Sequence, residues 1–361
     1  MTFYYSIFAI ICILSLIEIL GLKKKQALSA FFYLSTFLFI LSLIRWETGT
    51  DWDAYVDFYE HLPEIGEESN FEPLYHLVNY IGKHLFDSYT GVLFICASIL
   101  FLFQSLSIYR LSIFPITTLF ILYGSSFGNV FFIRQTIATV ILFFSIVFIQ
   151  EKKITKFLLC VFIATLFHYS SLIFLPAWWI FNWNSSKKKL IILFIISLST
   201  SVIIASFLQS LGNLLGGIIQ YKLLFYLDNT GEDSLQGTSF SLATMLIKGL
   251  SNKAVILFPA ILLFDKLRCR YQPYKGYLNL YWFGAIIYFL TAPISLVLVR
   301  FSFAYDILSI LLIPMIIGYF KQNIRIILFI ILIAYLAMRL YVAINSYYDL
   351  YIPYKTIFDI L

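Results

Sequence analysis

The chain has 361 residues, of which 61% are hydrophobic and 12% are charged, with a formal net charge of +6. Soluble domains carry about 25% charged residues, so this composition and a mean hydropathy of +0.89 exclude a water-soluble globular protein. The Lys and Arg residues fall mainly in short loops between apolar runs, which is typical of membrane topology signals and argues against a nucleic-acid partner.

The basic residues orient the first two apolar runs. A span predicted over residues 3–20 is followed by Lys23, Lys24 and Lys25, which should be cytoplasmic because cytoplasmic loops are enriched in Lys and Arg. A second span over residues 27–44 then returns to the outside. Residues 45–72 follow, with nine acidic side chains and a single Arg. A segment this acidic cannot lie in hydrocarbon, so it is predicted to be an external loop.

The rest of the chain alternates across the membrane. Residues 73–86 are predicted to form an amphipathic helix at the outer interface, since a crossing here would put the later basic loops on the wrong side. Further spans are predicted over residues 91–109, 113–127, 135–150, 154–169, 172–181, 190–208, 242–264, 277–292, 295–318 and 326–342.

These elements predict an all-α polytopic membrane protein with roughly twelve transmembrane helices. One transmembrane domain is expected over residues 1–361, with external loops at 45–72 and 209–241. The candidate polar residues are expected on the outer side of the membrane.

Four arginines are not explained by the charge bias, because they lie near the outer ends of spans: Arg45, Arg134, Arg300 and Arg339. A charged residue inside a span costs about 2.5–3.5 kcal/mol on insertion scales. Each could reach the outer interface or pair with a carboxylate, which is the favoured interpretation for Arg339. For Arg134 and Arg300 we favour capture of phosphate oxygens, to which the guanidinium fork is suited.

Other candidate residues lie on the same predicted side. His168 ends a span and is either a structural hydrogen-bonding group or a proton acceptor. Asp51 stands in a turn-prone GTDW sequence beside Trp52 and Tyr55, and Glu72 precedes Pro73 in an FEP step. Carboxylates near aromatic rings are a common arrangement for binding sugars, although the same aromatic residues fit an interfacial belt.

Metal and cofactor chemistry receives little support from the motifs. Asp51, Asp53 and Asp57 resemble an oxygen-rich site, but their spacing matches no calcium-binding loop. The chain contains no Walker, GxGxxG or HExxH motif, so nothing points to ATP, dinucleotide or zinc-protease chemistry. We therefore predict no metal and no cofactor.

An ordered set of short motifs runs along most of the chain: RWETGTDWDAY, FEPLYHLVN, GNVFFIRQTIA, ATLFHYSSLIFLP and RFSFAYD. This set resembles the EpsG-like family, which is grouped with the Wzy-type polymerases of bacterial surface polysaccharide. Residues 190–277 carry no matching motif. By this resemblance the family's polar motif positions are Arg45, Asp51, Glu72, Arg134, His168 and Arg300. Gln135 and Tyr305, from the same motifs, join them as candidate substrate-binding residues.

The resemblance implies a polymerase for O-antigen, capsule or exopolysaccharide. Such an enzyme moves a growing glycan from undecaprenyl diphosphate to the sugar of another lipid-linked repeat unit. The resemblance implies a location in the bacterial cytoplasmic (inner) membrane, with the active site facing the periplasm or exterior, and an architecture like that of the GT-C membrane glycosyltransferases is compatible with it. Its expected partners are the lipid-linked donor and acceptor and the lipid bilayer. A chain-length regulator and a flippase are further candidate partners.

The residues themselves are compatible with this chemistry. Arg134 and Arg300 would stabilise the charge on a departing lipid diphosphate, and His168, Asp51 or Glu72 could take the proton of the attacking sugar hydroxyl. Three alternatives stay open at this stage: a transferase like the O-antigen ligases, a flippase or exporter of the lipid-linked oligosaccharide, and a non-catalytic assembly partner.

Overall fold

A computed structural model describes residues 1–64, 66–67, 69, 71–215, 242–294 and 296–359. Regular structure in these residues is helical, apart from one isolated antiparallel bridge between Arg45 and Thr356. The predicted all-α polytopic membrane fold is therefore confirmed. Six helices of the described residues are long and apolar enough to cross a membrane, and two shorter apolar helices cover Arg134–Gln150 and Ile154–Phe167. The total of roughly twelve spans stays a prediction.

The described chain divides into two compact units, and the single domain expected over residues 1–361 stays a prediction. The first unit comprises Met1–Leu172 and Ile313–Leu361, and the second comprises Ile173–Leu312. The helices of the first unit are α1 (Thr2–Gly21), α2 (Lys24–Ile44), α3 (Trp52–Glu60), α4 (Pro73–Ile81), α5 (Tyr89–Leu111), α6 (Pro115–Ser126), α7 (Arg134–Gln150), α8 (Ile154–Phe167), α17 (Gln322–Ser346) and α18 (Tyr348–Tyr351).

Packing in the first unit centres on two groups of helices. Helix α7 lies against α5 and α8, and helix α6 lies against α1 and α17. The buried Glu18 of α1 accepts hydrogen bonds from the backbone N–H groups of Ile116 (3.1 Å) and Thr117 (2.7 Å). A carboxylate there satisfies donors that the first turn of α6 leaves unpaired and complements the helix dipole.

The acidic segment contains a helix that the sequence analysis missed. Helix α3 runs along residues 52–60 and buries Trp52, Tyr55 and Phe58. Their spacing of three residues places the rings on one face of a helix, which was the available signal. The next predicted helix is confirmed as α4, and it continues as a π-helical turn over Gly82–Phe86. Its position at the membrane interface stays a prediction.

The second unit is built around one central helix. Its helices are α9 (Ala177–Asn182), α10 (Lys187–Leu215), α11 (Leu242–Leu262), α12 (Phe264–Arg270), α13 (Tyr274–Thr291), α14 (Leu296–Val299) and α15 (Phe303–Asp306). Helix α13 packs against α9, α10, α11 and α15. Helix α16 (Ser309–Tyr319) spans the boundary between the two units.

Three predicted elements differ from the observed ones. The span expected over 172–181 is a 3-10 turn, Tyr169–Phe174, followed by the short α9, because Pro176 between them cannot continue a helical hydrogen-bond ladder. Of the loop expected at 209–241, residues 209–215 belong to α10, and residues 216–241 lie outside the described residues. The span expected over 295–318 is interrupted around Arg300.

Candidate functional site

Glu72 occupies the N-cap position of α4, directly before Pro73. Proline at the first helical position fixes the start of the helix and turns the preceding residue into an extended conformation. The Glu72 side chain is only 6% exposed. A carboxylate this well buried needs partners for both of its oxygens.

One partner of Glu72 is Arg134, the first residue of α7. Its Nη1 donates to Oε2 of Glu72 in an ion pair. The guanidinium carbon lies 4.1 Å from the ring centroid of Phe71, and such a cation–π contact stabilises a partly desolvated arginine. The Arg134 side chain is 21% exposed, so part of it remains accessible from outside the cluster. Its Nε is buried without a hydrogen-bond acceptor among the described residues.

The other partner is His168, which caps the C-terminus of α8. Its Nδ1 lies 2.8 Å from Oε1 of Glu72, and the backbone N–H of Tyr169 donates to the same oxygen at 3.4 Å. The His168 side chain is 24% exposed. An ionised carboxylate only accepts hydrogen bonds, so Nδ1 carries the proton in this contact and the neutral ring has its lone pair on Nε2.

Two opposing effects set the ionisation of Glu72. Burial raises the pKa of the carboxyl group, but the hydrogen bond from His168 and the charge of Arg134 outweigh it. The pKa therefore lies below its usual value, and the carboxylate is ionised at neutral pH.

A hydrogen-bonded tyrosine links Asp51 to this cluster. The Tyr55 hydroxyl donates to Oδ2 of Asp51 at 3.3 Å and accepts from the backbone N–H of Arg134 at 3.1 Å. Burial and the nearby Asp51 raise the pKa of Tyr55 to about 12, so the hydroxyl stays protonated. Asp51 itself precedes α3 and is partly exposed.

Arg45 lies near these residues in the first unit and contacts mainly backbone and rings. Its side chain is buried, and its Nη2 donates to the Phe132 carbonyl at 3.3 Å. Its guanidinium also lies 4.5 Å from the Phe132 ring centroid. Burial lowers the pKa of Arg45. Gly49 has a φ of +119°, and a Cβ there would lie 3.3 Å from Nη1 of Arg45, so this turn requires glycine.

Two further candidates of the first unit are buried beside the cluster. Trp52 packs edge-on against Trp46 and Tyr89, with both ring centroids 5.2 Å away. Gln135 is buried in the first turn of α7. The binding of substrate by Trp52 and Gln135 stays a prediction.

The remaining candidates are Arg339, Arg300 and Tyr305. Arg339 is exposed on α17 and donates to the Tyr335 hydroxyl at 3.1 Å. Arg300 and Tyr305 belong to the second unit. Arg300 is exposed, whereas Tyr305 is fully buried and donates to the Ile173 carbonyl at 2.7 Å. Their binding of substrate stays a prediction.

The sequence analysis missed several contributors. Phe71 and Tyr75 flank the Arg134 guanidinium, with the Tyr75 centroid at 5.7 Å, and their positions on either side of Glu72 were the available signal. Lys253, in the middle of α11, was also missed. It pairs with Asp306 in the second unit, and a lone lysine within a long apolar run could have indicated it.

Comparisons with known proteins agree with the motif set. The model of the EpsG family matches residues 29–356, which is nearly the whole chain. No curated protein and no solved structure matches it. The EpsG family is associated with Wzy-like polysaccharide polymerases, and this supports a polysaccharide polymerase-type membrane glycosyltransferase. By its match over almost its full length, this multi-pass membrane protein belongs to the EpsG family.

Proposed function

We propose that this protein polymerises oligosaccharide repeat units carried on undecaprenyl diphosphate. It transfers the growing glycan from one lipid diphosphate to a sugar hydroxyl of another lipid-linked unit, at the outer face of the bacterial cytoplasmic membrane. The observation that carries the proposal is the buried Glu72 carboxylate, shared between His168 and Arg134.

His168 is the proposed base. With the Nδ1 proton held by Glu72, its Nε2 accepts the proton of the acceptor hydroxyl as that oxygen attacks the anomeric carbon. Glu72 orients the ring and stabilises the imidazolium that forms, as the carboxylate does in a catalytic triad. Before the step the charges of Glu72 and Arg134 balance, and the transferred proton gives the cluster one positive charge.

Arg134 is proposed to stabilise the leaving group. As the new glycosidic bond forms, the bond between the anomeric carbon and the diphosphate oxygen breaks, and the electron pair leaves with the lipid diphosphate. A guanidinium stabilises this developing negative charge. The Nε donor of Arg134, unpaired among the described residues, supports such a role because a buried unpaired donor costs about 1–3 kcal/mol. Arg300 stays a second candidate ligand of the diphosphate.

Asp51, Trp52 and Tyr55 are proposed to bind the acceptor sugar. Asp51 is partly exposed beside the ring of Tyr55, so its carboxylate can accept hydrogen bonds from sugar hydroxyls. The rings of Trp52 and Tyr55 are buried, so a sugar would contact only their edges. The Tyr55 hydroxyl joins this region to the first turn of α7. A bound acceptor would in this way lie next to the residues that activate it.

Two assays test the proposal. In cells lacking the native gene, His168→Ala, Arg134→Ala and Arg300→Ala variants should make no polymer while their protein levels match the wild type. Purified protein with a synthetic lipid-linked repeat unit should extend the glycan, and parallel reactions with a chelator report any metal requirement. Full polymer from all three variants would overturn the assignment.

A flippase is the second candidate, because charged groups inside spans are typical of transport pathways. The observation in its favour is the pairing of Lys253 with Asp306, both within candidate membrane spans. The purified assay separates the two functions. A polymerase lengthens the glycan in detergent, whereas a flippase leaves every unit at its original length.

A further inference from the structure

The second unit contains an ion pair that the proposed chemistry does not use. Lys253 lies midway along α11, within the candidate span Thr244–Leu262. Its side chain is 7% exposed and its Nζ pairs with Oδ1 of Asp306. A buried lysine in a span is costly unless its partner is fixed. The pair therefore constrains how α11 packs against the segment that carries Asp306.

Both members of the pair make further specific contacts. The second Asp306 oxygen, Oδ2, accepts a hydrogen bond from Ser302 Oγ at 2.9 Å. The Lys253 Nζ lies 5.4 Å from the ring centroid of Tyr281 and 5.5 Å from that of Tyr288. Both aromatic faces can stabilise the ammonium group. Each charge is thus held by groups of this unit.

A glycine on α11 lets one of these rings approach. A Cβ at Gly249 would lie 2.0 Å from Cε1 of Tyr288, far closer than two carbon atoms can come. The Tyr288 hydroxyl donates to the Met245 carbonyl at 3.0 Å. Small residues allow close packing between membrane helices, and here the close packing encloses Lys253.

The segment held by the pair is the interrupted span around Arg300. It runs through α14, a 3-10 turn over Arg300–Ser302, and α15. Irregular backbone at membrane depth is stable only where it is buried in protein or lines a cavity. Ser302 and Asp306 hydrogen-bond to each other, while Arg300 at the start of the turn is exposed. The buried contacts of the segment therefore fix the backbone from which Arg300 projects.

We infer that Lys253 is a positioning residue whose ion pair with Asp306 holds the interrupted segment so that Arg300 can bind the lipid diphosphate. This inference rests on the proposed function, which supplies the diphosphate as ligand. Lys253 and Asp306 act through Arg300 and do not touch the substrate. The fixed partners of both charges, Ser302 at Asp306 and the rings of Tyr281 and Tyr288 at Lys253, favour a holding role over proton transfer along a transport pathway.

A double-mutant cycle tests the inference through binding, independently of polymerisation. The probe is undecaprenyl diphosphate, titrated into purified full-length protein in detergent. Lys253→Met should weaken binding about tenfold in the wild-type background but less than twofold in the Arg300→Lys background, because the two residues act through one contact. Lys248→Met is the matched control, since Lys248 is an exposed lysine on the same helix, and it should bind like the wild type.

A purely structural lysine would give a different result. Equal weakening by Lys253→Met in both backgrounds, or no weakening in either, would overturn the inference. If Lys253→Met does not accumulate, the reversed pair Lys253→Glu with Asp306→Lys replaces it: recovery of binding to within threefold supports the inference, and folded protein without recovery overturns it. If the binding measurements show the coupling between Lys253 and Arg300 but the purified protein does not polymerise the repeat unit, the result counts against the proposed reaction and leaves this inference standing.

Discussion

Within the described residues, each unit contains a charge cluster with one buried member, and the two clusters are of opposite character. In the first, a carboxylate on a helix N-cap is shared by Arg134 and His168, and both partners remain more than a fifth exposed. In the second, Lys253 and Asp306 pair within candidate spans, and the lysine is 7% exposed. In the first cluster the carboxylate is the buried partner and a histidine shares it, whereas in the second the cation is the buried partner and the Asp306 side chain is 30% exposed.

The difference shows that burial and residue type together determine whether a charged group in a membrane protein is suited to catalysis or to stabilising the fold. A histidine whose Nδ1 is held by a carboxylate presents its Nε2 to a substrate, so the first cluster is suited to chemistry. A buried ammonium that loses its carboxylate partner leaves an uncompensated charge and destabilises the fold, so the second is suited to holding backbone. Variants of the two clusters should accordingly separate activity from stability.

The largest expected effect is on activity, at His168. Replacing it with Ala removes the proposed base, which should lower the polymerisation rate about 10²–10⁴-fold. Thermal unfolding in detergent should change little, since one hydrogen bond contributes about 1 kcal/mol. His61→Ala is the control, because His61 is highly exposed at the end of α3. A rate above a tenth of the wild type would remove His168 from the base role.

Glu72→Gln should have the next largest effect, about 10–100-fold on rate, as is usual for groups that orient a functional histidine. The amide keeps the size of the side chain but loses the charge that pairs with Arg134 and fixes the His168 tautomer. Glu60→Gln, an exposed site on α3, serves as control. If Glu72→Gln impaired stability while leaving the rate unchanged, the first cluster would be a scaffold like the second.

The dependence of the free energy of unfolding on pH, in the acidic range, offers a third and smaller contrast. The folded-state pKa of Glu72 is depressed, so its ionisation contributes stability that is fully present above the unfolded pKa of about 4.3. That contribution disappears as pH falls through the lower, folded pKa. Wild type should be more stable than Glu72→Gln at pH 7, and the gap should close as pH falls below about 4.3 and through the depressed folded pKa. A constant gap measured by thermal unfolding across this range would contradict the ion pair.

The sequence predicted the fold class and the main chemistry-bearing residues for a physical reason. Apolar runs and basic loops directly reflect the bilayer, so helices such as α1, α5 and α17 were found within a few residues. Arg134 stood out because a charge near a span end is costly without a partner, His168 because it ends a predicted span, and Glu72 because it is an acidic residue directly before Pro73. Their shared contact could not be predicted, because it depends on how α4, α7 and α8 pack.

Other features depended on tertiary context in the same way. Helix α3 was not predicted, because its acidic residues indicated an external loop, although its buried aromatic residues repeat every three positions. Arg45 was grouped with the substrate-binding arginines by its charge, and its contacts with the Phe132 carbonyl and ring became visible only in the fold. Lys253 was missed because one charge in a long apolar run barely changes its average hydropathy.

The smallest expected effect belongs to Tyr55, which links the acceptor region to the first cluster. Tyr55→Phe keeps the ring among Phe71 and Tyr75 but removes the hydroxyl between Asp51 and the Arg134 backbone, at a cost of about 1 kcal/mol. If Asp51 acts through this hydroxyl, Asp51→Asn should lower the polymerisation rate less in the Tyr55→Phe background than in the wild type. The ratio of the two effects should correspond to a coupling free energy of at least about 0.5 kcal/mol. Tyr59→Phe, on the same helix, should show no coupling. If the rate effects of Asp51→Asn and Tyr55→Phe were strictly additive, the Asp51 carboxylate and the catalytic cluster would act independently. Tyr55 would then connect them by packing alone.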